Sequence, residues 1–165
     1  MGFDLIVRAI IVGVIAVVAF DLWGWMLQRL FRVRAPNWAI LGKWMLAPFA
    51  TKAATPPPGG PPSFTAAQKA LGTLAHFATG IAFAGLLIAL AGPTWAAKPT
   101  PLPAIAMGLG TIVFAWFVIM PALGHGPAAS KTPFPWRIRG LTLLAHAIFG
   151  LGFFLGAVLA VQLLH

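Results

Sequence analysis

Hydrophobic positions in this chain come in long unbroken runs with no alternation. Four runs stand out, at about Leu5–Leu27, Ala70–Ala91, Ala104–Met120 and Leu141–Leu164. A helix rises about 1.5 Å per residue, so roughly 20 residues cross a hydrocarbon core. The runs therefore predict four transmembrane helices, the third short enough to need a flanking residue or two. Lipid offers the backbone no hydrogen-bond partners, which favours helices. A membrane barrel would need alternating segments of roughly ten residues, which the chain lacks. The expected fold class is all-α: an integral membrane four-helix bundle forming a single transmembrane domain over 1–165. The first run is too long, and lacks the small-residue cleavage pattern, for a signal peptide, so it is expected to remain as a helix.

The fifteen prolines fall in the expected loops or at the edges of the third run, where Pro103 and Pro121 bracket it. Thr65 and Gln68 have the spacing of a capping box ahead of the second run. The segment 28–69 is a long loop in two parts. Residues 37–50 mix Trp38, Trp44 and Lys43 with apolar residues and predict a helix lying in the membrane interface. The Pro/Gly-rich stretch 54–63 predicts a flexible or polyproline tether. Trp38, Trp44 and Trp136 are the expected interfacial anchors.

Polar residues are so sparse within the runs that each one matters. "LAHFATGIAF" (Leu74–Phe83) and "LAHAIFGLGF" (Leu144–Phe153) share the form L-A-H-x-x-x-G-x-x-F. His76 follows Lys69 by seven residues, and His146 follows Arg139 by seven. Both imidazoles therefore lie about 10 Å from a basic anchor, at one depth on parallel helices. Asp21 precedes Arg29 by eight residues on a helix of opposite direction, at about the same level. Ionisable groups within a bilayer are costly and tend to face the bundle interior and pair. Asp21, His76 and His146 are thus expected to converge in one polar cluster. Gly80 and Gly150 lie one turn beyond each histidine, and Gly152 and Gly156 form a GxxxG pair. These four glycines are the expected helix-packing positions. The repeat also raises the architecture of two duplicated, parallel helical hairpins.

Composition agrees with this reading and adds orientation. The chain is 60% hydrophobic and 8% charged, against about 25% charged in soluble domains. Its 11 Lys and Arg residues face two acids, for a net charge of +9. Nine of the bases lie in the loops after the first and third runs. The positive-inside rule then puts those loops in the cytoplasm and both termini on the outer side. Anionic lipid head groups are the expected partners of this charge, and nucleic acid is not. Arg8 can pair with Asp4 one turn away.

Chemistry is constrained by what is missing. There is no cysteine, so disulfides, thiolate metal sites and cysteine nucleophiles are excluded. Ser63 and Ser130 fall in loops, so no Ser-His-Asp set converges in the membrane. No H-x-x-x-H spacing or second intramembrane acid supports a metal site or an aspartyl dyad. The expected protein is not an enzyme. It is a transporter-like unit or an accessory subunit, acting as a homo-oligomer or within a larger membrane complex. The alternative is a membrane electron carrier holding haem b between His76 and His146.

The stretches "FDLWGWMLQRLFRVRAPNWAILGKW", "LAHFATGIAFAGLL", "MPALGHGPAASKTPFPWRIRGL" and "HAIFGLGFFLG" cover much of the chain. Together they resemble a family of bacterial inner-membrane proteins known as a domain of unknown function. Asp21, Asn37, Gly42–Trp44 and the histidines match its pattern. The resemblance implies a four-span protein of the bacterial inner membrane and carries no activity.

Overall fold

The computed structural model describes residues 2–33, 36–49 and 63–164, and helix is the only regular secondary structure among them. Helix α1 spans Phe3–Phe31, α2 Trp38–Leu46, α3 Ala66–Ala97, α4 Pro101–Ala122 and α5 Pro135–Leu163. All but α2 are long and apolar enough to cross a membrane. The expected tether at 54–63 lies, except for Ser63, outside the described residues.

Local chemistry sets the helix ends. The Gln68 amide donates to Thr65 Oγ1 at 3.2 Å, and the Thr65 amide donates to Gln68 Oε1 at 3.0 Å, a reciprocal capping box that starts α3. Asn37 caps α2, its Oδ1 accepting from the Ala39 amide at 3.0 Å. Near its other end α3 breaks at Gly92 (φ 85°), a left-handed conformation that glycine adopts without steric cost. Pro93 then begins a last turn, in which the Trp95 indole donates to Thr100 O at 3.1 Å. Arg8 ties this turn to α1. Its Nη1 donates to Ala96 O at 3.2 Å, while its Nε pairs with Asp4 at 2.8 Å. A cation on the last carbonyls of a helix also meets the negative end of its dipole.

The third span is longer than its apolar run. Pro101 and Pro103 occupy the first turn of α4, and the helix continues through Pro121 to Ala122. Proline lacks an N–H, and its ring clashes with the carbonyl four residues earlier. The turn facing that ring, Ala115–Ile119, is widened into π-helix.

The spans pack in the order α3, α1, α5, α4. α1 makes its main contacts with α5 and α3, α4 packs on α5, and α3 barely touches α4. Glycines govern each crossing. A Cβ on Gly13 of α1 would lie 2.5 Å from Ile81 Cα and 2.9 Å from Gly80 C on α3. A Cβ on Gly108 of α4 would lie 2.5 Å from Gly150 Cα on α5. Gly152 and Gly156 bring α5 onto Ala16 and Val12 of α1 at a similar closeness. The interior between these crossings is filled by Val12, Ala16, Val17, Ala84, Leu87, Ile88, Phe149, Phe153 and Ala157. The outer faces are apolar too, with Ile6, Ile10, Leu22, Leu74, Leu90, Leu143, Leu151 and Leu155 all exposed. An apolar perimeter of this extent suits hydrocarbon and not water.

Helix α2 packs on α3. A Cβ on Gly42 would overlap the Gln68 carbonyl, and one on Gly72 would overlap that of Trp38, so α2 rests backbone to backbone on the start of α3. Trp44 and Trp136 are 51% and 81% exposed, but Trp38 turns inward and is no surface anchor.

Gly108→Ala forces α4 away from α5 and is expected to destabilise the fold by about 1–3 kcal/mol. Gly110→Ala, whose new methyl meets nothing within 4 Å, is expected to be near neutral. Thermal unfolding of the two variants in detergent checks the contrast.

Candidate functional site

Asp21, His76 and His146 separate into two adjoining arrangements. In the first, His76 of α3 donates from Nε2 to Asp21 Oδ1 of α1 at 3.1 Å. An ionised carboxylate only accepts, so Nε2 carries the proton. The Trp38 indole stacks on the His76 ring, with centroids 3.7 Å apart and planes 18° from parallel. Its Nε1 also donates to Asp21 Oδ1, at 3.4 Å. One carboxylate oxygen therefore gathers donors from α2 and α3. The His76 side chain is 11% exposed and that of Asp21 is 42% exposed. The pair is open on the carboxylate side and covered on the ring side.

Each of these placements follows from the local fold. α2 can bring Trp38 over His76 because Gly42 and Gly72 allow backbone contact between α2 and α3. His76 lies one turn before Gly80, so the Gly13–Gly80 crossing turns its ring toward α1. Asp21 lies about two turns along α1 from that crossing, toward the end that carries Arg29.

In the second arrangement, His146 of α5 faces α4. Its Nδ1 lies 2.8 Å from Thr111 Oγ1 and 3.2 Å from Gly108 O, while the Thr111 hydroxyl donates to Gly108 O at 2.6 Å. The hydroxyl proton is committed to the carbonyl, so His146 donates from Nδ1. Thr111 and His146 are the two buried polar residues of the described core.

The expected single cluster of Asp21, His76 and His146 is therefore corrected. Asp21 bonds His76, whereas His146 is satisfied by α4. Phe20 meets the edges or faces of both rings, each at a centroid distance of 5.9 Å. The correction has a physical reason: α1 sits between α3 and α5 and presents an aromatic residue where they converge. The same contact bears on haem b. Ligation of a haem through both Nε2 atoms would displace Phe20 and break the His76–Asp21 bond, while leaving the His146 Nδ1 bonds in place. No group of three or more His, Cys, Asp or Glu suited to a metal ion occurs among the described residues.

Sequence reasoning missed Trp38, Phe20 and Thr111 as members of these sites, and Gly13, Gly42, Gly72 and Gly108 as contact glycines. Thr111 had a signal, being a lone hydroxyl deep in an apolar run. The packing glycines Gly80, Gly150, Gly152 and Gly156 all stand at helix crossings.

Four apolar spans with exposed apolar perimeters define a multi-pass membrane protein. Within that class, the chain belongs to the family described as "Protein of unknown function (DUF2938)", whose model matches residues 10–160. No curated protein and no solved structure matches the chain.

Thr111→Val leaves His146 Nδ1 with only the more distant Gly108 carbonyl. This is expected to lower stability by about 1–3 kcal/mol, with Thr111→Ser close to wild type. Equilibrium unfolding in detergent measures both.

Proposed function

We propose that the protein is a small transporter-like unit of the bacterial inner membrane, in which Asp21 and His76 form a proton-exchanging pair near the cytoplasmic end. One observation carries this reading: a part-exposed carboxylate is bonded to a ring that is nearly buried within an apolar span. Intramembrane ionisable residues are expensive and commonly mark proton or ion paths. The carboxylate is part exposed while the ring is nearly covered, so the pair is accessible from one side. The end of α1, the residue after it, helix α2 and the first turn of α3 hold Arg29, Arg32, Lys43 and Lys69 near it. This asymmetry favours a cytoplasmic placement, with both termini periplasmic.

Beyond this pair, α1, α3 and α5 meet through apolar side chains at Val12, Ala84, Leu87 and Phe153. A single protomer therefore exchanges protons at one face, and passage across the membrane is completed by a second copy or by a larger complex to which this chain is accessory. The His146–Thr111 pair is satisfied within the protein and serves to fix α4 on α5.

Reconstitution into vesicles with a trapped pH-sensitive dye tests the proposal. Wild-type protein is expected to dissipate an imposed pH gradient. Asp21→Asn and His76→Gln should each abolish most of that flux, whereas Thr111→Ser should retain it. Equal flux in wild type and Asp21→Asn would overturn the proposal, as would none in the wild type under an imposed gradient, alone or in native membranes.

A further inference from the structure

The His76 ring has three aromatic neighbours, and they meet it in different ways. Phe20 and Phe77 stand edge-on to it, at centroid distances of 5.9 and 6.0 Å with planes 62° and 72° from its own. Trp38 lies face to face with it, at 3.7 Å and 18°. Two neutral aromatic rings avoid so direct a sandwich and prefer to stack offset or meet edge to face, because the face of each carries negative potential. A cation over an aromatic face is attracted to that same potential, and tryptophan attracts it best. The stack is therefore poor for a neutral imidazole and good for a charged one. Other tryptophans near the basic end already carry cations. The Arg29 guanidinium lies 5.6 Å from the Trp25 ring centroid, and that of Arg139 lies 4.7 Å from the Trp136 centroid.

Hydrogen bonding leaves the ring one place to take up charge. His76 Nε2 and Trp38 Nε1 both donate to Asp21 Oδ1. Among the described residues nothing bonds His76 Nδ1, whose lone pair is bare while Nε2 holds the proton. A proton added at Nδ1 breaks no bond and leaves the ring with an N–H at both nitrogens and one positive charge. The His76 side chain is only 11% exposed, so water supplies little of the solvation that this charge needs. The protein supplies it from two sides, with the Asp21 carboxylate of α1 and the Trp38 face of α2. The other charged or titratable groups nearby are engaged elsewhere or point outward. His146 of α5 stands across Phe20 and is bonded to Thr111. Lys69 of α3, Lys43 of α2, and Arg29 and Arg32 at the end of α1 are exposed.

We infer that Trp38 carries the charged form of His76: its indole face is the surface on which the imidazolium rests while the pair holds an added proton, with Asp21 as counter-ion. The use of this device rests on the proton-exchanging reading of the pair, and its geometry stands apart from that reading. Trp38 holds no transferred proton itself. It acts through His76, as a positioning residue. The fold fixes it there twice. Gly42 and Gly72 admit α2 onto α3 at backbone contact, and Asn37 caps α2 one residue before Trp38, setting where the helix begins. At 3.4 Å the indole N–H bond to Asp21 is long, beyond the usual range for N–H···O, so the ring face contributes more than the N–H does. Phenylalanine would keep a weaker face, and leucine none.

The test uses the full chain with Trp38 alone replaced by mono-, di- and trifluorotryptophan. Fluorine draws electron density from the ring face, weakening its hold on a cation, and barely changes its shape. Nitrogen NMR in bicelles measures the share of His76 rings protonated at both nitrogens, at the pH where half of the wild-type rings are. That share is expected to fall stepwise with each added fluorine, several-fold over the series. The His146 signals and the unfolding temperature should stay in place, which a merely structural role for Trp38 would not separate from the His76 response. Trp38→Phe should fall within the fluorinated series and Trp38→Leu below it. Proton flux in vesicles should decline in the same order. A His76 share indifferent to fluorine number would overturn the inference, whatever the flux. A share that follows the series while wild type carries no flux would uphold the inference and remove the transport reading instead.

Discussion

The structure depends on backbones that touch. In hydrocarbon there is little gain in hiding one apolar side chain behind another, since lipid is equally apolar; close packing and hydrogen bonds must hold the helices together. This chain supplies the packing by omitting side chains. Gly13 with Gly80, Gly108 with Gly150, and Gly152 and Gly156 against α1 let helix axes approach until a methyl group would collide with main chain. Gly42 and Gly72 do the same for the short helix α2.

The crossings also decide what the polar residues can reach. Each histidine sits one turn before its glycine and is turned toward the neighbouring helix. On α5 that neighbour is α4, whose Gly108 carbonyl and Thr111 hydroxyl engage the ring. On α3 it is α1, where Asp21 provides a charged acceptor and Trp38 arrives from α2 to cover the ring. The same phrase of sequence thus produces one buried structural histidine and one histidine bound to a part-exposed acid. Only the second includes a part-exposed ionisable group, which is why the proposed function rests on it.

The spans, the capping box and the packing glycines of α3 and α5 were legible in the sequence because each depends on local pattern. Run length reports a span, Thr65 and Gln68 report a helix start, and small residues at one-turn spacing report a packing face. The partition of the polar residues was not legible. Depth along the membrane can be counted from Lys69, Arg139 and Arg29, but rotation about each helix axis depends on which neighbour the glycine admits. Asp21 and His146 share a level and yet face different partners, with Phe20 against both rings. Trp38 looked like an anchor because tryptophan near a membrane edge usually is one. Backbone contact between Gly42 and Gly72 turned it inward. The third run, expected at about 104–120 with a flanking residue or two, extends to Pro101–Ala122, and a π-turn marks where the helix passes Pro121.

The division between the two histidines is the central claim, and nitrogen NMR of histidine-labelled protein in bicelles tests it most directly. The account predicts opposite neutral tautomers, with the proton on Nε2 in His76 and on Nδ1 in His146. It also predicts that Asp21→Asn moves the His76 signals and leaves those of His146 in place. A shared tautomer, or signals from both rings that respond together to the loss of Asp21, would contradict it.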